Sequence, residues 1–238
     1  MPTNSSAPTF RGEGSIPLYL ARPSGEAKAA IIVIPEIFGV NEGIARKCDS
    51  WAAEGYLAVA PDIFWRFAPG EECNPDVPEE FQKALANMNS YVAGQVDGRQ
   101  DSVEDAEAIA RWLRNEQGIG KVGLVGYCLG GRIAYLVATR TDLDAMVGYY
   151  GVMIDQALNE AHAIANPLML HIAGNDGFVP PEAQAAIHTG LDDHPRVTLH
   201  DYPGEDHGFA AEMGDRRSEA AAQLADQRTR DFFAEHLA

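Results

Sequence analysis

The sequence runs to 238 residues, 46% hydrophobic and 22% charged, with a formal net charge of −17 at pH 7. That length suits one domain spanning residues 1–238 with ample chain for a large core, and so acidic a molecule repels phosphate backbones and anionic membranes, which excludes both as expected partners. Three cysteines without a Cys-x-x-Cys pair exclude a disulfide framework and a zinc motif; with a polar N-terminus and no membrane-length apolar run, the expectation is a soluble cytoplasmic protein.

Short apolar runs alternate with longer amphipathic ones, which predicts an α/β fold with a mostly parallel central sheet covered by helices on both faces. Residues 16–21 read as an early strand. Residues 29–34 (AAIIVI) are continuously apolar, as in a strand buried on both faces. Residues 41–53 place Ile44, Cys48 and Trp51 at helical spacing, and Gly55 ends that helix. A strand follows at 56–60. Residues 67–78, rich in Pro, Gly and acid, predict an exposed excursion, and 79–92 predict a helix. Residues 101–116 form a helix with Val103, Ala106, Ile109 or Ala110, and Leu113 on one face. Strands are predicted at 121–126, 143–150, 167–173 and 196–202. Helices are predicted at 129–139, 181–191 and 218–237.

The sharpest chemical signal is Gly126-Tyr127-Cys128-Leu129-Gly130-Gly131, between a predicted strand and a predicted helix. A nucleophile elbow holds one residue in a strained turn, so that its side chain stands clear of the sheet. Glycines two positions to either side let strand and helix pass closely. The Leu129 N–H then supplies half of an oxyanion hole, and the helix adds its positive end. The rival reading of Cys128 is a buried structural thiol. No serine in the chain has a Gly-x-Ser-x-Gly setting, which leaves Cys128 as the candidate nucleophile.

A thiol nucleophile needs a base, and the base an orienting acid, in the chain order nucleophile, acid, base. Asp176 lies in the turn Gly174-Asn175-Asp176-Gly177 after a predicted strand, and His207 in Gly204-Glu205-Asp206-His207-Gly208 after the last one. The rivals are an ordinary turn aspartate and a solvent-facing loop histidine. The other six histidines fall within strands or on surface and helix positions. Pro35-Glu36-Ile37-Phe38-Gly39 follows the first buried strand, where the Ile37 N–H is expected to complete the oxyanion hole. Glu36 is expected either to accept a hydrogen bond from the Cys128 thiol or to face water as a loop residue. Phe38, Trp65 and Tyr150 are candidates to line an apolar substrate pocket, with plain core as the rival.

Together with Ala60-Pro61-Asp62 and Gly148-Tyr149-Tyr150-Gly151, these stretches resemble the dienelactone hydrolase (carboxymethylenebutenolidase) family over nearly the whole chain. The resemblance implies an α/β-hydrolase with a Cys–His–Asp triad of Cys128, His207 and Asp176. It implies that Glu36 holds the resting thiol and takes its proton when substrate binds, and that an acyl-enzyme forms and is released by water. It also implies two arginines on the substrate carboxylate, one on the excursion and one four residues past the histidine. The second position is Ala211 here. On the excursion and the helix after it stand Arg66 and Lys83, which do not match the pattern; Arg216 or Arg217 swinging in to the carboxylate is an alternative to reading both as surface charges. Neutral esters or another lactone are therefore expected beside dienelactone. No metal or cofactor is implied, and the protein is expected as a monomer or small homo-oligomer. The alternatives are a thioesterase or general carboxylesterase with the same triad, and a non-catalytic scaffold that binds a ligand or senses oxidants through Cys128.

Overall fold

The computed structural model describes residues 4–12, 14–94 and 101–238. Eight strands form one sheet: β1 (Ser5–Pro8), β2 (Ser15–Ala21), β3 (Ala30–Ile34), β4 (Leu57–Pro61), β5 (Val122–Tyr127), β6 (Ala145–Tyr149), β7 (Leu168–Ala173) and β8 (Val197–Tyr202). Their spatial order is β1-β2-β4-β3-β5-β6-β7-β8. β1 and β2 run antiparallel to their neighbours and every later pair is parallel. β3, β4, β5, β6 and β7 are buried along their whole length, which is why they read as unbroken apolar runs rather than alternating ones.

Among the described residues six α-helices connect them: α1 (Glu42–Ala53), α2 (Pro78–Gly94), α3 (Asp101–Glu116), α4 (Leu129–Arg140), α5 (Pro181–Leu191) and α6 (Glu219–His236), with a 3-10 helix at Asp155–Ala163. On one face α1 meets α6 through the Trp51 and Phe233 rings, 5.5 Å apart. On the other face α4 packs on β5 and β6 and against α3. α1 starts where the Asn41 side chain accepts the Ile44 N–H at 3.1 Å, a cap that satisfies one of the helix's otherwise unpaired donors. Among the described residues no helix is long and apolar enough to cross a membrane.

Two elements depart from the sequence reading. β1 was not expected, because Ser-Ser-Ala-Pro has no strand periodicity; it exists through its pairing with β2, Ser5 opposite Leu18. The 3-10 helix likewise lies in a stretch without a clear apolar period.

The register sets the site. Ile34 of β3 pairs with Gly126 of β5, Tyr127 with Tyr149 of β6, Tyr149 with His171 of β7, and Ala173 with Tyr202 of β8. The strands therefore end side by side, and Glu36, Cys128, Tyr150, Asp176 and His207 all lie just beyond those ends, where parallel sheets hold their ligands.

Candidate active site

Cys128 has φ 57° and ψ −113°, a left-handed conformation that a residue with a Cβ adopts only when its surroundings impose it. Here they do. A Cβ on Gly126 would lie 1.9 Å from the Gly130 oxygen, and one on Gly130 would lie 2.5 Å from the Ile34 oxygen. Strand, turn and helix are thus in backbone contact, with no room for side chains at either glycine. The Cys128 N–H donates to Tyr149 O at 3.0 Å, and its carbonyl accepts from Gly131 at 3.0 Å.

His207 Nδ1 and Asp176 Oδ2 are 2.8 Å apart, and both residues are buried. The other Asp176 oxygen accepts the N–H groups of Phe178 and Val179 at 2.7 and 3.2 Å, so the turn aspartate is both turn-former and partner of the imidazole. The Cys128 side chain neighbours the His207 imidazole, close enough to act on its charge. Burial works against a charged imidazole, but the Cys128 sulfur and the Asp176 carboxylate outweigh it and raise the His207 pKa to about 10. Neither the Ile37 nor the Leu129 N–H has a protein acceptor among the described residues.

Glu36 is part-buried, and its Oε1 accepts the Tyr150 hydroxyl at 3.0 Å. Glu36 is thus held by Tyr150 rather than by the expected bond to the Cys128 thiol. Burial pushes the Glu36 pKa up; His207, the Tyr150 hydroxyl, Lys47 and Arg216 pull against it.

Cys128, His207, Glu36 and Ile37 open into a pocket of about 150 Å³. Its walls are apolar: Phe38 and Phe178 from the loops, Met153 from the turn after β6, and Phe81, Leu85 and Met88 from α2. The last three recur at helical spacing, so one face of α2 roofs the pocket. The excursion before α2 is pinned to the Glu36 loop by the Cys73 N–H on Phe38 O, 3.0 Å.

Of the three residues expected to line this pocket, only Phe38 does so. Trp65 lies elsewhere: its indole N–H donates to Asp105 Oδ2 at 3.0 Å, beneath the Arg66 guanidinium at 4.3 Å. Tyr150 is buried outside the pocket wall, where its hydroxyl serves Glu36. Arg66 forks onto Asp105 and Lys83 pairs with Glu71, so both excursion cations are already engaged. Arg216 fits both readings given to it, a surface charge and a cation at the site. It is exposed, yet it lines the pocket mouth, with its guanidinium 5.7 Å from each of the Phe81 and Phe178 rings. No carboxylate pairs with it among the described residues. Ala211, also on the wall, leaves that mouth open. Nothing local marks Arg216 out; the α2 stripe was legible as spacing but not as a pocket wall. Among the described residues no group of three or more His, Cys, Asp or Glu side chains is placed to hold a metal ion.

An eight-stranded, mostly parallel sheet with an elbow after β5 and an acid and a histidine after β7 and β8 defines an α/β-hydrolase. The model of the dienelactone hydrolase family matches residues 16–237, and the chain belongs to that family. It is 40% identical over 227 residues to a provisionally named carboxymethylenebutenolidase of Azospirillum brasilense, covering 94% of this chain and 95% of that one. It is 37% identical over 214 residues to the carboxymethylenebutenolidase of Pseudomonas putida, with 89% and 88% covered. Among solved structures, a provisionally named dienelactone hydrolase of Klebsiella pneumoniae superposes with a TM-score of 0.78 at 25% identity, covering 98% of this chain and 100% of that one. The protein is a dienelactone hydrolase-like hydrolase of carboxylic esters or lactones.

Proposed function

We propose that the protein opens a lactone, or cleaves a carboxylic ester, bearing a carboxylate beside an apolar body, through Cys128, His207 and Asp176 and a thioester intermediate. The observation that carries this reading is the strained Cys128, beside an imidazole that Asp176 holds from behind, on the wall of an apolar pocket.

The Cys128 sulfur attacks the carbonyl carbon while the proton sits on His207 Nε2, whose pKa the site raises to about 10. Asp176, bound at Nδ1, fixes the tautomer and stabilises the imidazolium. The Glu36 carboxylate adds a second negative charge near that imidazolium. The developing oxyanion takes the free N–H groups of Ile37 and Leu129. Collapse breaks the C–O bond, and the leaving oxygen takes the proton from His207. In a lactone that oxygen stays tethered to the acyl group. Water, deprotonated by His207, then attacks the thioester and regenerates the thiol. Arg216 is the cation that meets the substrate carboxylate at the mouth, and the Phe81, Leu85 and Met88 face takes the apolar body.

The test is dienelactone ring opening, followed by loss of its ultraviolet absorbance, beside hydrolysis of a neutral aryl ester, for wild type and Cys128→Ala. Loss of both activities in the variant supports the nucleophile; wild-type activity only on the aryl ester removes the carboxylate from the reading. A Cys128→Ala protein that keeps the wild-type rate on both substrates refutes it.

A further inference from the structure

Tyr150 follows β6 with φ 38°, in the left-handed region that a bulky residue avoids. Such strain persists only where surrounding structure over-determines it, and it gathers at sites where placement matters. This turn is over-determined. The Tyr150 N–H donates to His171 O at 2.8 Å, and the Val152 N–H donates to Cys128 O at 3.3 Å. A Cβ on Gly151 would lie 2.9 Å from the Gly131 carbonyl carbon.

The strained backbone aims one side chain at two reacting groups. The hydroxyl donates to Glu36 Oε1 at 3.0 Å. The ring stands edge-on to the His207 imidazole, with centroids 5.0 Å apart and planes at 61°. Phe209 backs it at 5.5 Å and 70°. Tyr150 is 1% exposed, so neither contact competes with water.

We propose that Tyr150 is a positioning residue of the reaction: its hydroxyl holds the Glu36 carboxylate, and its ring holds the His207 imidazole at the Cys128 sulfur. This rests on the reading of Cys128 and His207 given under the proposed function. The groups facing Glu36 are His207, the Tyr150 hydroxyl, Lys47 and Arg216, all of which favour its ionised form against burial; Cys128 shares its pocket wall. Of these only Tyr150 hydrogen-bonds it, and a hydrogen bond to a carboxylate favours the ion. Without the hydroxyl, Glu36 takes up a proton at higher pH, the charge beside the imidazolium is lost, and the acid limb of kcat/KM moves upward.

The experiment is the pH profile of kcat and kcat/KM on whichever ester or lactone the wild type turns over, for Tyr150→Phe, Glu36→Gln and the double variant, with Cys128→Ala as control. Tyr150→Phe is expected to lose roughly tenfold, mostly in kcat, as befits one buried charge-assisted hydrogen bond, with its acid limb displaced upward. Glu36→Gln removes that limb, and adding Tyr150→Phe to it then costs far less than in the native background. Placing 3-fluorotyrosine at position 150 strengthens the donor and shifts the limb downward without removing an atom that packs; it carries the test should Tyr150→Phe not fold. An unmoved acid limb, or an equal loss with and without Glu36, overturns the inference. If Cys128→Ala is inactive while Tyr150→Phe keeps the native profile, only this inference fails. If Cys128→Ala remains active, the underlying reading of the site fails instead.

Discussion

Replacing Arg216 with methionine keeps the length of the side chain and removes its charge. The guanidinium rides between Phe81 and Phe178 at 5.7 Å from each ring and makes no close ion pair among the described residues, feeling Glu36 only across the pocket, so a substrate carboxylate is an anion it can meet directly. A fully desolvated charge-assisted bond contributes about 1.5–3 kcal/mol, and an exposed ion pair about 0–1 kcal/mol. Arg216 is exposed on one side and flanked by apolar walls on the other, which places its contribution near 1–2 kcal/mol. That corresponds to a five- to thirtyfold loss of kcat/KM. The contact is remote from the scissile bond and equal in ground and transition states, so the loss falls on KM with kcat little changed. The assay compares a carboxylate-bearing lactone with its neutral methyl ester, wild type against Arg216→Met. Selective loss on the acid is expected. Equal losses on both substrates, or none on the acid, refute the assignment of Arg216 as the anion contact.

Two further outcomes follow from the same geometry. Gly126→Ala places a Cβ 1.9 Å from the Gly130 oxygen, where backbone rather than a flexible side chain must yield. Overpacking typically costs about 1–3 kcal/mol, and this position belongs at or beyond the upper end, lowering Tm by roughly 6–12 °C in a chain of this size and abolishing Cys128-dependent hydrolysis; a thermal melt and thiol alkylation that match wild type would contradict the elbow geometry. The His207 pKa is raised in the folded protein to about 10 from 6.5, so its contribution to stability is whole below pH 6.5 and is lost as pH climbs through about 10. Denaturant unfolding of wild type between those values is expected to show falling stability, with a shallower slope in Cys128→Ala, where one source of the raised pKa is gone; parallel slopes would remove Cys128 as a cause.

The juxtaposition of Cys128, Asp176 and His207 was more legible in the sequence than the walls of the pocket beside them, and the reason is physical. Cys128, Asp176 and His207 each sit in a turn beyond a strand end, after the buried β5 and β7 and the half-exposed β8, and a few neighbouring residues determine such a turn: Gly126 and Gly130 at the elbow, Gly174 before Asp176, Gly208 after His207. Strand register then brings the three together without further information. Trp65 and Tyr150 carried no such local direction. Each reads equally as pocket aromatic or plain core; the Asp105 carboxylate captures the Trp65 indole, and the turn after β6 points the buried Tyr150 inward, onto Glu36. β1 is a strand only through its partner, and its own sequence has no period to read.

Arg216 shows how recognition escapes a local reading. It hangs on the irregular segment between β8 and α6, and contacts across the chain hold that segment in place. Lys47 donates to Ala210 O at 2.9 Å and Arg46 to Glu212 O at 2.7 Å, both from α1, while Arg217 reaches Glu212 Oε1 at 2.8 Å. The segment is therefore fixed by polar tethers to a helix more than 160 residues earlier in the chain, and the lack of a Cβ on Gly208, at φ 81°, leaves the space that the Arg216 stem occupies. The reacting groups, by contrast, are set by strand ends that cannot shift without breaking the sheet. A cation on the tethered segment can change place while the nucleophile, acid and base stay where they are. Ala211 at the expected arginine position, with Arg216 five residues further on at the pocket mouth, is such a change. On the proposed reading, Arg216 offers an anionic substrate a positive charge at a different distance from the Cys128 sulfur, and would set the length of the acid the pocket accepts rather than the reaction it undergoes.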